Sequence, residues 1–246
     1  MKFKRLTLSL VFCFSLITSQ VSATPVRVGT VLYYPPYVLS MNEGFDIDLI
    51  RLLFQRLKLT YNLVPMDFNK LFTALDKGEI DIAIAGILIS PDKEKKYIFS
   101  LPYMLSKAQF LILNTSPVKS ITDLKGKQVG VIQGDESGGV FYNFLLNNYS
   151  GLFNIVKFPT IDSLITSLTN GSIAAAFAHK STADYWLQNG GNQFKELGSS
   201  FLVGEGIAIM STPANALLIQ NINQQLELIE KDDSYINLYT TYFGNN

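Results

Sequence analysis

The amino-acid sequence predicts an α/β protein of two lobes, each a sheet with flanking helices. Three observations carry that prediction. A helix–glycine–strand unit recurs within the chain, its strands are apolar along their length, and the alternation of strands and helices starts afresh after residue 113.

The recurring unit comes first. Leu71-Phe72-Thr73-Ala74-Leu75-Asp76-Lys77-Gly78-Glu79-Ile80 leads into Asp81-Ile82-Ala83-Ile84-Ala85-Gly86. After a spacing of 93 residues, Leu164-Ile165-Thr166-Ser167-Leu168-Thr169-Asn170-Gly171-Ser172-Ile173 leads into Ala174-Ala175-Ala176-Phe177-Ala178-His179. Phe68, Leu71, Phe72 and Leu75 recur at the i, i+3, i+4, i+7 spacing of a helical stripe, and Ile161, Leu164, Ile165 and Leu168 do the same. Gly78 and Gly171 supply the left-handed residue that stops each helix. The strands beyond are apolar on both faces, as parallel strands covered by helices must be.

The other elements fall around these units. Residues 26–30 read as a strand. Ile50, Leu53, Phe54 and Leu57 stripe a helix with Asp46 and Asp48 in its first turn and Arg56 and Lys58 in its last, charges that suit the helix dipole. Leu59, Tyr61 and Leu63 alternate into a strand that Pro65 ends. The second half repeats the scheme: an apolar strand at 110–113, a strand at 127–132 and a glycine-rich loop through Gly139. A helix over 216–230 follows near the end. Strands and helices alternating at these lengths predict a parallel sheet in each lobe.

Before the first strand, Lys2, Lys4 and Arg5 precede an apolar run at 6–17 and then Val21-Ser22-Ala23, the pattern of a secretory signal peptide cleaved after Ala23. The run of 12 residues is short of the roughly 20 needed to span a bilayer. Cleavage leaves 223 residues with 17 basic and 20 acidic side chains and no cysteine, because Cys13 lies in the leader. An exported chain without a disulfide must draw its stability from core packing.

Composition narrows the function. Charged residues make up 16% of the chain and form no block, which argues against disorder and against a nucleic-acid surface. One cysteine and one histidine exclude a disulfide framework and a Cys/His metal site. No cofactor is implied. The loop 134–139 can present backbone N–H groups to an anion but lacks the Lys-Ser/Thr end of a P-loop and lacks Gly-x-Gly-x-x-Gly. No Gly-x-Ser-x-Gly elbow is present, so no catalytic residue is assigned. Ligands of open α/β sheets bind beyond the carboxyl ends of the strands. That places 33–37, 85–90, 133–137 and 178–181 around one cleft. The cluster Tyr33-Tyr34-Pro35-Pro36-Tyr37 either lines an apolar pocket there or forms a stiff packed loop.

In order and spacing, a set of motifs resembles the polar amino-acid family (family 3) of bacterial periplasmic solute-binding proteins, the receptors of ABC importers. They are Arg27-Val28-Gly29-Thr30 with Tyr34-Pro35-Pro36-Tyr37, Gly44-Phe45-Asp46-Ile47-Asp48-Leu49, Leu75 through Gly86, Ser90-Pro91-Asp92-Lys93, Phe99-Ser100-Leu101-Pro102-Tyr103 and Asp123-Leu124-Lys125-Gly126-Lys127-Gln128-Val129-Gly130-Val131. The resemblance covers nearly the whole mature chain. It implies a two-lobed Venus-flytrap (type II) fold with hinge crossings near 104–107 and 203–206. Lobe one would be 24–106 plus 206–246, and lobe two 107–205.

The resemblance also implies a ligand site. Tyr34 and Phe68 match the rings that sandwich the ligand's side chain, and Gly86, Leu88 and Ser90 match the segment that offers it backbone groups. Ile132 and Ser137 belong to the facing wall. Three anchors depart from the family. Lys93 stands where an arginine holds the α-carboxylate, Glu136 where a threonine does, and His179 where an aspartate holds the α-ammonium. Either the clamp is rebuilt, with Glu136 meeting the ammonium and Lys93 the carboxylate, or the ligand is not an ordinary α-amino acid. Val31 is apolar where an acidic partner for a basic side chain would lie. A histidine in the cleft is also expected to make binding respond to mildly acidic pH.

The function implied is a periplasmic receptor, expected to be monomeric, that binds a small polar or zwitterionic solute. It would deliver that solute to an ABC permease at the inner membrane, with no nucleic-acid partner. The alternatives are a periplasmic enzyme on the same scaffold, resembling the cyclohexadienyl dehydratases with Glu136 and His179 as acid–base groups, and a free ligand-sensing domain.

Overall fold

The structure, a computed structural model, describes residues 24–134 and 138–244. The expected signal peptide therefore lies outside the described residues, as do Glu136 and Ser137 of the expected site.

Two five-stranded sheets organise the chain. The first contains β1 (Val26–Thr30), β2 (Tyr61–Pro65), β3 (Ile82–Ala83), β4 (Ile98–Phe99) and β10 (Met210–Ser211), in the order β2-β1-β3-β10-β4. The second contains β5 (Lys107–Leu113), β6 (Gln128–Ile132), β7 (Asn154–Phe158), β8 (Ala175–His179) and β9 (Phe194–Leu202), in the order β7-β6-β8-β5-β9. Helices α1 (Phe45–Leu57), α2 (Phe68–Asp76) and the short α3 (Pro91–Glu94) belong to the first half. Helices α4 (Val140–Asn148), α5 (Ile161–Thr169) and α6 (Lys180–Asn189) belong to the second, and α7 (Ala216–Lys231) and α8 (Ser234–Phe243) return to pack on α1.

The sheets are mixed, which corrects the expectation of purely parallel ones. β1–β2, β1–β3, β6–β7 and β6–β8 are parallel, but β10 runs antiparallel to β3 and β4, and β5 antiparallel to β8 and β9. Helical crossovers force parallel pairing. β5 and β10 are the strands by which the chain enters one lobe from the other, with no crossover helix before them, so their direction is free. The apolar run expected as one long strand to Gly86 also forms ladder pairs only at Ile82 and Ala83. Ile84, Ala85 and Ile87 are fully buried all the same, with Ile84 N–H on Gly29 O at 2.9 Å and Ala208 N–H on Ile87 O at 3.0 Å.

The two helix–strand units occupy matching places. Each docks on a glycine of the neighbouring strand. A Cβ at Gly29 in β1 would lie 2.2 Å from Ile80 Cδ1 and 3.0 Å from Leu71 Cδ2. One at Gly130 in β6 would lie 2.4 Å from Leu164 Cδ1 and 2.7 Å from Ile173 Cδ1. Leu71 and Ile80 are the counterparts of Leu164 and Ile173 in the repeated unit, so both lobes use a bare backbone to let helix and strand approach. The core of the second lobe is aromatic: Phe110 and Phe177 centroids lie 4.6 Å apart, and Phe144 stacks on Phe177 at 5.5 Å. Burying each such ring contributes roughly 1.5–3 kcal/mol.

Two segments cross between the sheets side by side. Ile207 N–H donates to Met104 O at 2.9 Å and Val203 N–H to Ser106 O at 3.3 Å. The loop after β3 is tied to the same crossing, with Ile89 N–H on Gly206 O at 2.9 Å and Glu205 N–H on Ile89 O at 3.1 Å. The hinge is thus hydrogen-bonded to the loop that faces the cleft.

Candidate functional site

The carboxyl ends of β1, β3, β6 and β8 converge on a narrow cavity of about 40 Å³ between the two sheets. Tyr34, Phe68, Gly86, Leu88 and Lys93 line it from the first lobe, and Ile132 and His179 from the second. Seven of the ten residues expected from the sequence therefore meet there. Ser90 precedes α3, where its carbonyl accepts from the backbone of Lys93 and Glu94, and it does not line the cavity. Tyr34, Phe68 and Ile132 also line an open groove of about 360 Å³, and Lys93 and Gly134 another of about 450 Å³.

His179 ends β8 and is 2% exposed. Its Nε2 lies 2.9 Å from Gly86 O. A carbonyl only accepts, so Nε2 carries the hydrogen and donates it across the cleft. Three rings enclose the imidazole: Phe141 at 4.8 Å, Tyr37 at 5.2 Å and Tyr34 at 5.9 Å between centroids. Burial pushes its pKa down to about 4, and the bond to Gly86 offsets only part of that. The expectation of titration in the mildly acidic range is corrected accordingly: the imidazole is neutral down to about pH 5.

Gly86 has φ 63°, a left-handed backbone that favours glycine, and a Cβ there would lie 3.2 Å from the Tyr37 ring. Its N–H donates to Asp46 Oδ2 at 2.8 Å, and Tyr103 O–H donates to Asp46 Oδ1 at 2.8 Å. Asp46 is fully buried, and burial raises its pKa to about 7 against those two bonds. Position in the sequence marks Asp46 and Asp48 alike as first-turn charges. Only the fold tells them apart, turning Asp46 under the cleft floor while Asp48 accepts from Tyr242 O–H of α8.

Lys93 is 6% exposed, with Nζ 4.3 Å from the Phe72 ring centroid. Its neighbours Lys95 and Lys96 are exposed and pair with Asp92 and Asp76. Lys93 is therefore set apart from the charged run around it. A second contact across the cleft joins Tyr37 Oη and Ser181 Oγ at 2.8 Å. Phe141, unforeseen from the sequence, reaches the cavity because the glycine-rich loop delivers the first turn of α4 to it. The only signal was its place just after Gly138 and Gly139. Among the described residues there is no cluster able to hold a metal ion, and no helix is long and apolar enough to cross a membrane.

Two mixed α/β lobes, two hydrogen-bonded crossings and a cavity at the facing strand ends define a two-lobed binding protein of the periplasmic type. Residues 26–245 match the bacterial extracellular solute-binding proteins, family 3, and the chain belongs to that family. It is similar to the putative ABC transporter arginine-binding protein 2 of Escherichia coli K12, at 27% identity over 98% of both chains. It is also similar to the lysine/arginine/ornithine-binding periplasmic protein of the same organism, at 28% identity over 100% of this chain and 98% of the relative. Among solved structures, an arginine transport periplasmic binding protein from Legionella pneumophila superposes with a TM-score of 0.82 at 31% identity, covering 89% of this chain and 99% of that one.

Proposed function

We propose that this chain is the periplasmic receptor of an ABC importer, closing residues 24–106 plus 206–246 and residues 107–205 over one small, polar, amino-acid-like solute. The observation that carries the reading is the convergence of Tyr34, Phe68, Lys93 and His179, from distant parts of the chain, on one cavity between the lobes. In this reading Lys93 meets a carboxylate of the solute, and the Tyr34 and Phe68 rings cover its apolar part. Rings suit that task because they bury large area with few torsions to order. Export through a signal peptide cleaved after Ala23 and release of an unaltered solute belong to the same proposal.

The relatives named above bind arginine or lysine by their own descriptions, but a cationic side chain fits this cleft poorly. Val31 is buried at 7% exposure in the adjoining groove, and Asp67 on the same wall is paired with Lys70 at 2.7 Å. A thermal-shift screen of amino acids, small carboxylic acids and amines, followed by calorimetry, tests the reading. A carboxylate-bearing solute should raise the melting temperature and be recovered unchanged. Phe68→Ala should weaken it by about tenfold or more, on the order of 1.4 kcal/mol. Micromolar arginine binding would overturn the ligand class, and turnover of the solute would overturn the receptor role.

A further inference from the structure

Gly86 is bonded on both sides. Its carbonyl accepts from His179 Nε2–H of the second sheet at 2.9 Å, and its N–H donates to Asp46 Oδ2 at 2.8 Å. Asp46 Oδ1 accepts from Tyr103 O–H, also at 2.8 Å. Tyr103 stands at the start of the first crossing. Its own N–H donates to Ile207 O at 2.9 Å, Ile207 N–H donates to Met104 O at 2.9 Å, and Tyr103 O accepts from Tyr235 O–H of α8. One carboxylate therefore bonds to the cleft loop with one oxygen and to the hinge with the other.

The helix dipole does not account for the burial of Asp46. Asp48, in the same first turn of α1, serves the dipole from a partly exposed position, where it meets Arg51 and Tyr242. A fully buried carboxylate with no cation among its two partners is costly, so its position calls for a reason. Gly86 supplies one. Glycine adopts left- and right-handed backbones about equally, so it has no side chain to hold its φ of 63°. The Tyr103 ring packs 5.9 Å from Phe45, a task phenylalanine would do as well, and its hydroxyl goes to Asp46.

We propose that Asp46 is a positioning residue for solute binding: it sets the Gly86 backbone on the cavity wall and ties it to Tyr103, so that closure of the second lobe onto Gly86 is coupled to the pairing of the two hinge crossings. The proposal rests on the receptor reading above for its purpose, while its test needs no solute.

Amide spectra of the isotope-labelled protein read the cleft end. Between about pH 5 and 9 the Gly86 amide proton should titrate with a midpoint near 7, because its acceptor takes up a proton there. Burial raises the pKa values of Tyr34, Tyr37 and Tyr103, and His179 stays neutral above about pH 5, so these neighbours keep their charge across that range. Tyr103→Phe keeps the ring and removes a bond that favours the carboxylate, so it should move the midpoint up. Asp46→Asn should abolish the titration. Hydrogen exchange at Ile207 N–H reads the hinge end. His179→Leu breaks the bond to Gly86 O and should speed that exchange by about threefold or more in the wild-type background. In the Tyr103→Phe background, where the tie is cut, the same substitution should leave the exchange unchanged. A Gly86 amide that does not titrate, a midpoint unmoved by Tyr103→Phe, or an Ile207 rate that His179→Leu leaves alone in the wild type or speeds equally in both backgrounds overturns this inference and leaves the receptor standing. Failure of every screened solute to bind overturns the receptor reading and leaves the coupling standing.

Discussion

The two copies of the helix–strand unit finish at the same point of their lobes and present different chemistry there. The first ends at Gly86, a bare backbone in a left-handed conformation; the second ends 93 residues later at His179, a buried side chain. The two ends meet, Nε2–H to carbonyl, at 2.9 Å. Equivalent positions of a repeated unit have become donor and acceptor of one bond across the cleft. What the comparison teaches is that the repeat sets where the site lies, while the residue at the end of each copy sets what it can bind.

Substitution at the docking glycines would strain this comparison most. If the two units are packed alike, Gly29→Ala and Gly130→Ala should each destabilise the protein by about 1–3 kcal/mol, the usual cost of overpacking. The clashing atoms, Ile80 Cδ1 at 2.2 Å and Leu164 Cδ1 at 2.4 Å, are the ends of flexible side chains, so neither should prevent folding. Urea denaturation measures both. A neutral result in one lobe and a large cost in the other would show that the resemblance of the units is one of sequence alone.

Much of this arrangement is legible in the sequence. The stripes from Phe68 and Ile161, the glycine stops and the strand that ends at His179 are local signals and appear where expected, whereas the first copy's strand is cut to Ile82 and Ala83. The strand directions of β5 and β10 are not local, since they depend on how the chain enters a lobe across the hinge. Within the site, the resemblance pointed to His179 and Lys93 by position. Their state could not be read the same way: whether Lys93 is a solvated member of a charged run or buried beside Phe72 depends on packing from α2. The inward turn of Asp46 and the arrival of Phe141 are likewise decided by contacts remote in sequence.

The buried pair behind the cleft predicts an effect of pH on stability. Asp46 has its pKa raised to about 7, so in the folded protein it holds a proton that the unfolded chain releases above the ordinary carboxylate range. Its contribution to stability therefore falls as pH rises from about 4 to about 7. His179 has its pKa lowered to about 4, so the unfolded chain takes up a proton below about 6.5 that the folded protein refuses. Its contribution falls as pH drops from about 6.5 to about 4. The two slopes oppose each other between pH 5 and 6.5, and these two groups together should leave the wild type nearly level there. In His179→Leu only the Asp46 slope remains, and stability should rise as pH falls through that window, by up to about 1.4 kcal/mol per pH unit. Denaturant midpoints across the window check the sign, and a variant that loses stability on acidification would show that Asp46 is ionised when folded.

The smallest effect concerns a second contact between the lobes. Tyr37 Oη and Ser181 Oγ lie 2.8 Å apart, with Tyr37 fully buried and Ser181 partly reached by solvent. Tyr37→Phe keeps the ring against His179 and Phe243 and removes only the hydroxyl. A neutral hydrogen bond contributes roughly 0.5–1.5 kcal/mol net, so the ratio of closed to open protein should drop by roughly two- to tenfold. Small-angle scattering without solute reads that as a larger radius of gyration. A larger radius alone does not identify the bond, since a disturbed Tyr37 ring would also loosen the cleft. The double variant with Ser181→Ala separates the two causes: if the hydroxyl pair is responsible, Ser181→Ala should produce a similar shift and the double variant little more than either. Additive shifts would mean that Tyr37 holds the lobes together through its ring rather than through its bond to Ser181.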